Sequence, residues 1–301
     1  MLSALSVAER LAPSAARTYL KRWWIAERFY DRAIVTRNYR SAFGRRPNLR
    51  RPVTFSEKVA YKMLFDRRPL LALIADKVRV RDYVAERAGQ QFLSTVYQIC
   101  ESPDQIKWHE LPDKFALKTN HGSKMHILVL DKSKLDIEQA VSQLKIWLGQ
   151  NFYDHLREWC YRDIRPMVMV EELLPSGEGH PEWKFFVFDG RTSCVELSSG
   201  PPGDLKKTFY DRKLKRMNVK WAHRAALPED PVFPENVGSM ISVAERLGSG
   251  LDFVRVDLYN IDGRIVFGEL TNYPWAGRMP FDPPEFDAVL GREWRCPRRY
   301  W

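Results

Sequence analysis

Apolar residues recur along this 301-residue chain with two different periods, and the change from one to the other divides it. Up to about residue 100 the spacing is helical. Thr54-Phe55-Ser56-Glu57 has a hydroxyl at the N-cap and a carboxylate three residues on. This capping box opens a helix carrying Val59, Tyr61, Met63 and Leu64. Asp76 and Gly89 bracket a second helix over KVRVRDYVAERAG. Farther on, strand-like runs occupy 115–118, 126–130, 167–174, 182–190 and 253–271, with helices near 133–148 and 235–247. Asp189-Gly190 supplies a two-residue hairpin turn. Residues 200–234, rich in Pro, Lys and Asp, read as an irregular connection, and no repeat period or low-complexity tract is present.

The run Phe253–Gly277 carries the densest chemistry. A three-residue loop of Ile261, Asp262 and Gly263 would pair Asn260 with Arg264, set Asp257 opposite Phe267 and set Arg255 opposite Glu269. Side chains alternate between faces, so Arg255, Asp257, Glu269 and Thr271 share one face, and Val254, Val256, Leu258, Val266 and Leu270 take the other. A polar face of that composition is either solvated or a site for a hard cation and phosphate.

Composition narrows the class. With 45% hydrophobic and 13% aromatic residues the chain is globular, and no apolar run reaches the roughly 20 residues of a membrane span. The start has small residues but an early Glu9 and Arg10 and no basic leader, so it reads as an amphipathic helix and not as a secretory signal. Cys100, Cys160, Cys194 and Cys296 lie far apart, which signals neither a zinc site nor a disulfide framework and fits a cytoplasmic setting. Residues 1–60 hold 13 Lys and Arg against 4 acids, so this arm carries 13 − 4 = +9 of the chain's +10. With Trp23, Trp24, Phe29, Tyr30 and Tyr39 interleaved, the arm is a solvated face, a surface for an acidic glycan or a peripheral contact for anionic lipid at the inner face of a membrane. Nucleic acid is not expected as a partner, because no helix-turn-helix, zinc-finger or RNP pattern accompanies the charge.

Phe115-Ala-Leu-Lys118-Thr-Asn120-His-Gly122-Ser123-Lys124 is a strand entering a small, polar loop that can aim N–H groups and lysines at phosphate. It matches neither the Walker A nor the GxGxxG pattern. Glu171 and Glu172 end a strand, where one carboxylate could meet an adenine amino group, and Glu182 and Lys184 lie two apart on one strand face. His121 and His126 read as loop histidines, since no second cluster of metal ligands accompanies them.

In this order these segments resemble ATP-grasp enzymes, and LKTNHGS, PEWKFFVFDG, FVRVDLY and FGELT are similar to the TupA-like group associated with polysaccharide and teichuronopeptide assembly. The resemblance covers roughly residues 40–292. It implies an α+β fold in which two subdomains clasp ATP and Mg²⁺ behind a basic helical arm. The expected divisions are an arm over 1–60, a helical lead-in over 61–110, a first subdomain over 111–174 and a second over 175–301.

The resemblance further implies that Lys77 and Lys118 hold phosphates while Asn120, Gly122, Ser123 and Lys124 cover the triphosphate as a lid. Glu171 and the backbone of Glu172, Leu173 and Leu174 would hold adenine, and Glu182 the ribose. Asp257 and Glu269 would hold Mg²⁺, with a third oxygen from Thr271 or Asn272; Arg255, Lys118 and Lys184 would serve catalysis. Lys184 has no counterpart in the general ATP-grasp pattern, and the stretch before Lys77 is too short for the substrate domain many such enzymes carry. The implied reaction is ATP-dependent carboxylate–amine ligation through an acyl phosphate, on a small-molecule or glycan carboxylate. A phosphotransferase, a glycosyltransferase and a non-catalytic nucleotide-binding protein are the alternatives.

Overall fold

Two antiparallel sheets, each backed by helices, gather nearly all of the alternating segments. The computed structural model describes residues 14–175, 180–201, 204–297 and 300, with backbone alone for 14–25. The amphipathic reading of residues 1–13 lies outside these, as do the side chains of Trp23 and Trp24. Among the described residues no helix is long and apolar enough to cross a membrane.

The first sheet has strand order β1-β4-β2-β3, from β1 (Val96–Cys100), β2 (Phe115–Thr119), β3 (His126–Val129) and β4 (Val168–Glu172). One face presents Phe115, Leu117, Val129, Val168 and Val170 to a helix over Ile137–Leu148, which buries Ala140 and Leu144. Asp136 opens that helix by accepting from the Gln139 N–H at 2.9 Å, so the strand-to-helix turn is fixed locally. Strand β1 corrects the helical reading of the first hundred residues. It is a five-residue edge strand whose apolar residues are not separated by regular polar alternation, and Tyr97 and Ile99 stay exposed on its outer side.

The second sheet is longer, in the order β10-β9-β5-β6-β7: β5 (Glu182–Phe188), β6 (Arg191–Ser199), β7 (Lys206–Asp211), β9 (Val254–Ile261) and β10 (Arg264–Thr271). Asp189-Gly190 turns β5 into β6 as expected, pairing Phe188 with Arg191. Strand β7 and the short β8 (Lys220–Trp221) overturn the irregular reading of 200–234; β8 pairs with β11 (Phe281–Asp282). Backbone pairing with β6 recruits β7 despite its three charged residues, because its alternate residues Thr208 and Tyr210 are fully covered.

The two faces of this sheet have different fates. Trp183, Phe185, Val187, Val195, Leu197, Val254, Val256 and Leu258 pack on a helix over Val237–Gly248 and on another over Val80–Arg87. On the opposite face, Phe186, Phe188, Cys194, Phe209 and Phe253 are covered at one end by helices over Phe55–Phe65 and Phe286–Glu293. The expected capping box forms: Thr54 Oγ1 accepts from Glu57 N–H at 3.3 Å while the Glu57 carboxylate accepts from Thr54 N–H at 3.3 Å. The other end of that face is left for polar residues, and the two sheets meet over it.

Phe55 keys the covered end. Its ring lies 5.0 Å from Phe253, 5.7 Å from Trp294, 5.9 Å from Phe186 and 6.3 Å from both Phe188 and Phe281. Phe55→Ala is expected to cost about 3–5 kcal/mol, because the helix between rigid rings cannot collapse into the void. Urea unfolding measures this; a loss below about 1.5 kcal/mol, the cost of a volume-conserving swap, would show the ring cluster adapts.

Candidate functional site

The hairpin reaches the expected face by an unexpected register. Asp262 and Gly263, with φ of 50° and 89°, form a two-residue turn, so Arg264 pairs with Ile261 and Phe267 with Leu258. Continued unbroken, that register would set Glu269 opposite Val256, on the apolar face. A bulge at Gly268 adds one residue and restores parity: Glu269 pairs with Asp257, Leu270 with Val256 and Thr271 with Arg255. Glycine fits closely there, since a Cβ would stand 3.0 Å from the Tyr259 ring and 3.1 Å from the Asp257 carbonyl oxygen and would press on both. The expected pairings of Asp257 with Phe267 and of Arg255 with Glu269 are therefore corrected. Val266, expected on the apolar face, pairs with Tyr259 on the other one, where it is still fully buried, while Ile265 and Phe267 take the apolar face.

Pairing across the sheet now carries polar residues in a belt. One row runs Glu269, Asp257, Lys184 and Glu196; the row beside it runs Tyr259, Glu182, Ser198 and Lys207. Asp257 is wholly buried and sits between two cations. Arg255 Nε and Nη2 donate to its two oxygens at 2.7 and 2.6 Å, and Lys184 Nζ donates at 2.9 Å. Arg255 Nη2 also lies 3.0 Å from Glu269 Oε1 and from Thr271 Oγ1, and Thr271 donates to Glu269 at 2.9 Å. Glu182 pairs with Lys184 and accepts from the Tyr259 hydroxyl at 3.2 Å. Burial alone would lower Lys184; Asp257 and Glu182 reverse this and raise it.

The first sheet supplies the facing wall. Lys118 pairs with Glu171, which also accepts from Ser94 Oγ at 2.6 Å. Lys77 donates to the Gly122 carbonyl, and its ammonium is lowered by burial, with Glu269 from one sheet and Glu171 from the other opposing that shift. Lys77 thus stands between the sheets. Ser123 and Lys124 are exposed at the loop tip, and Lys124 has φ 62°. Glu172 is tied across to β10, its oxygens 2.5 and 2.9 Å from Arg264, and Leu173 and Leu174 follow it half-buried.

Two expected site residues are engaged, wholly or in part, in structural hydrogen bonds. Asn120 is buried with its amide donating to Asp76 at 2.9 Å and to the Arg165 carbonyl at 3.0 Å, while its oxygen accepts from Met167 N–H at 2.7 Å. It fastens the loop's base. Asn272 donates its amide N–H to the Leu71 carbonyl at 3.0 Å while its Oδ1 is buried without a hydrogen-bond partner, and of the two candidate third ligands Thr271 is the one hydrogen-bonded to Glu269. His121 bonds the Trp147 and Gln150 carbonyls at 3.2 and 3.1 Å.

Two further buried carboxylates are not singled out by the sequence reading, Glu196 on the belt and Glu158 outside it. Glu196 is fully buried, pairs with Lys207 and accepts from Trp221 Nε1 at 2.8 Å. Glu158 is pushed up to about 8 by burial; Arg278 opposes the shift and Glu269 adds to it. Glu196 lies on TSCVELSS, whose alternation places it opposite Lys184, and that signal was legible; Glu158 carries none.

As a magnesium site the donor set is sparse. Two carboxylates and a hydroxyl are interleaved with two cations, and among the described residues no group of three or more His, Cys, Asp or Glu could hold an ion. Such a set fits an ion that arrives with phosphate oxygens and water, which is how Mg²⁺ binds nucleotide sites, and not a free-standing cage.

Residues 57–295 match a family model described as TupA-like ATPgrasp. No curated protein matches the sequence at a significant level. Among solved structures the chain is similar to a D-alanine–D-alanine ligase from Bacillus anthracis complexed with ATP, at 15% identity and TM-score 0.39, over 68% of this chain and 56% of that one. It is also similar to a RimK-domain ATP-grasp protein from Sphaerobacter thermophilus, at 13% identity and TM-score 0.42, over 81% and 71%. An L-amino acid ligase from Bacillus licheniformis matches at 11% identity and TM-score 0.42, over 72% and 44%. The chain spans little more than half the length of the D-alanine–D-alanine ligase.

Asp257 gives the site a pH signature. Burial alone would raise its carboxyl, but Arg255 and Lys184 overcome that and hold it at about 2, below the ordinary 3.8. A depressed carboxyl contributes stability that is full above its unfolded value and is lost as pH falls through the folded one. Unfolding free energy from urea titrations is expected to fall between pH 3.8 and about 2, and to fall less steeply in Asp257→Asn. Equal slopes for the two proteins over that window would remove Asp257 as the cause.

Proposed function

The chain belongs to the TupA-like ATP-grasp family, and on that premise we propose that it is an ATP-dependent ligase joining a carboxylate to an amine. The observation that carries this reading is the buried Lys184–Asp257–Arg255 group, with Glu269 at its mouth, Lys118 on the facing sheet and Lys77 between the sheets. Four cations around one cleft suit a triphosphate; carboxylates aim Lys118, Lys184 and Arg255 before it arrives, and the Gly122 carbonyl aims Lys77.

In the proposed reaction a substrate carboxylate attacks the γ-phosphorus, ADP leaves, and an acyl phosphate forms. An amine then adds to the acyl carbon, and phosphate departs with the C–O bond. Lys77 and Lys118 would hold phosphate oxygens, Glu182 the ribose hydroxyls, and the strand end at Glu171–Leu174 the base. Arg255 and Lys184 would balance charge on the transferring group. Asp257 and Glu269, with the Thr271 hydroxyl, would hold Mg²⁺, which when bound neutralises phosphate charge. Catalysis on this scheme is positioning and electrostatics, without a protein nucleophile. We place it in cell-surface polysaccharide assembly, on the strength of the family resemblance.

Asp257→Asn and Glu269→Gln each remove one anionic oxygen at nearly constant volume, and each is expected to lower ADP release by about 100-fold or more, the scale of one preorganised charge. Near-full turnover in either variant at ordinary Mg²⁺ would take the hairpin out of the reaction. With wild-type protein, ATP and a panel of uronic and amino acids, hydroxylamine is expected to trap the acyl phosphate as a hydroxamate. A stable phosphorylated sugar without hydroxamate would make the protein a phosphotransferase instead.

A further inference from the structure

Past Lys184 the belt continues onto strands β6 and β7, where the ATP scheme assigns nothing. Every other cation of the belt has a carboxylate: Lys184 has Glu182 and Asp257, Arg255 has Asp257 and Glu269, and Lys207 has Glu196. Arg224 has none among the described residues. Its guanidinium carbon lies 5.7 Å from the centre of the Trp275 ring, and Lys207 Nζ lies 5.4 Å from the same centre. The Lys207 N–H donates to the Ala225 carbonyl at 2.8 Å, which holds the Arg224 segment against β7. Ser198 pairs directly with Lys207 across the strands.

Three polar atoms in this wall are buried without a hydrogen-bond partner: Ser198 Oγ, Arg224 Nε and Trp275 Nε1. Ser198 is only 4% exposed. All three can donate, and two of them can do nothing else. A buried donor left unmade is costly, so unsatisfied donors gathered beside a cation describe the negative of an anion. Trp275 and Ala276 are both held at positive φ, 53° and 51°, in the short turn that follows Thr271 and Asn272, so the same hairpin that ends in the proposed metal face delivers the indole here.

We propose that Ser198, Arg224 and Trp275, with Lys207 beneath, receive the carboxylate of the substrate that ATP activates. The inference rests on the ligase reading above and extends it: that substrate approaches along β6 and β7, from the side of Lys184 away from Asp257. A carboxylate offers two oxygens to several donors and takes a guanidinium side-on, which is the geometry Arg provides and Lys does not.

The test follows the Trp275 indole N–H by NMR in full-length protein with AMPPNP and Mg²⁺, the signal being assigned by its loss in Trp275→Phe. Acetate, L-glutamate and D-glucuronate are titrated at constant ionic strength, with chloride as control. At least one carboxylate is expected to move the signal saturably and chloride is not. In Arg224→Ala the half-saturating concentration should rise about tenfold or more, the loss of one charge-assisted hydrogen bond, with Arg224→Lys between and Ser198→Ala shifted the same way. Tighter response to glucuronate marks a sugar acid, and tighter response to glutamate an amino acid; either supports the subsite. No response to all three, an equal response to chloride, or an unchanged titration in Arg224→Ala would overturn it. Calorimetry with AMPPNP keeps the two readings apart. Absent nucleotide binding with an intact carboxylate response defeats the ATP scheme and leaves the anion subsite standing.

Discussion

Asp257 is the constraint around which the second sheet is organised. A wholly buried carboxylate is tolerable only with charge and hydrogen bonds supplied to both oxygens, and here Arg255 on its own strand and Lys184 on the next supply them. Removing one partner from such a group typically costs about 3–5 kcal/mol, because the remaining charge stays buried. The registers of β5 and β9 are therefore coupled: a slip of one residue would carry Lys184 to the apolar face and strand the carboxylate. Strand β10 is held to the same frame through Glu269 and Thr271.

That arrangement explains the asymmetry of the sheet's polar-side face. At one end the rings of Phe186, Phe188 and Phe253 meet Phe55 and Trp294, and at the other the face is charged. Lys62, Asp66, Arg68 and Asp252 form a second, largely buried ionic group behind the rings, in which Trp294 and Tyr300 also donate to Asp252. It joins the end of one helix to the start of β9. The two ionic groups thus bracket β9, one anchoring its entry and the other forming the site.

The cleft itself depends on how the sheets are tied. Arg264, beside the hairpin turn, grips Glu172 at the end of β4, so the two strands that would flank a bound base are linked at their tips. Lys77 closes the other side by holding the Gly122 carbonyl, and Asn120 holds the same loop to Asp76. The loop is anchored at its base while Ser123 and Lys124 remain exposed at its tip. Anchoring of that kind limits motion to the residues that would meet phosphate.

The α+β class came from the family resemblance, while local chemistry was enough to read the capping box at Thr54, the turn at Asp189-Gly190 and the shared face of Arg255, Asp257, Glu269 and Thr271. These depend on hydrogen bonds and periodicities a few residues long. The face was right although the register was not, because a two-residue turn plus one bulge has the same parity as a three-residue loop. Tertiary structure decided what lies beyond that range. Strands β1 and β7 exist because a neighbouring strand offers ladder hydrogen bonds, not because their own residues alternate strongly. Asn120 is an amide that sequence presents as a ligand, yet Asp76, the Arg165 carbonyl and the Met167 N–H, all far away in the chain, claim both its ends. Arg224, Ser198 and Trp275 come from three separate segments and meet only when the sheet folds. No local pattern can announce a group whose members are defined by what fails to pair with them.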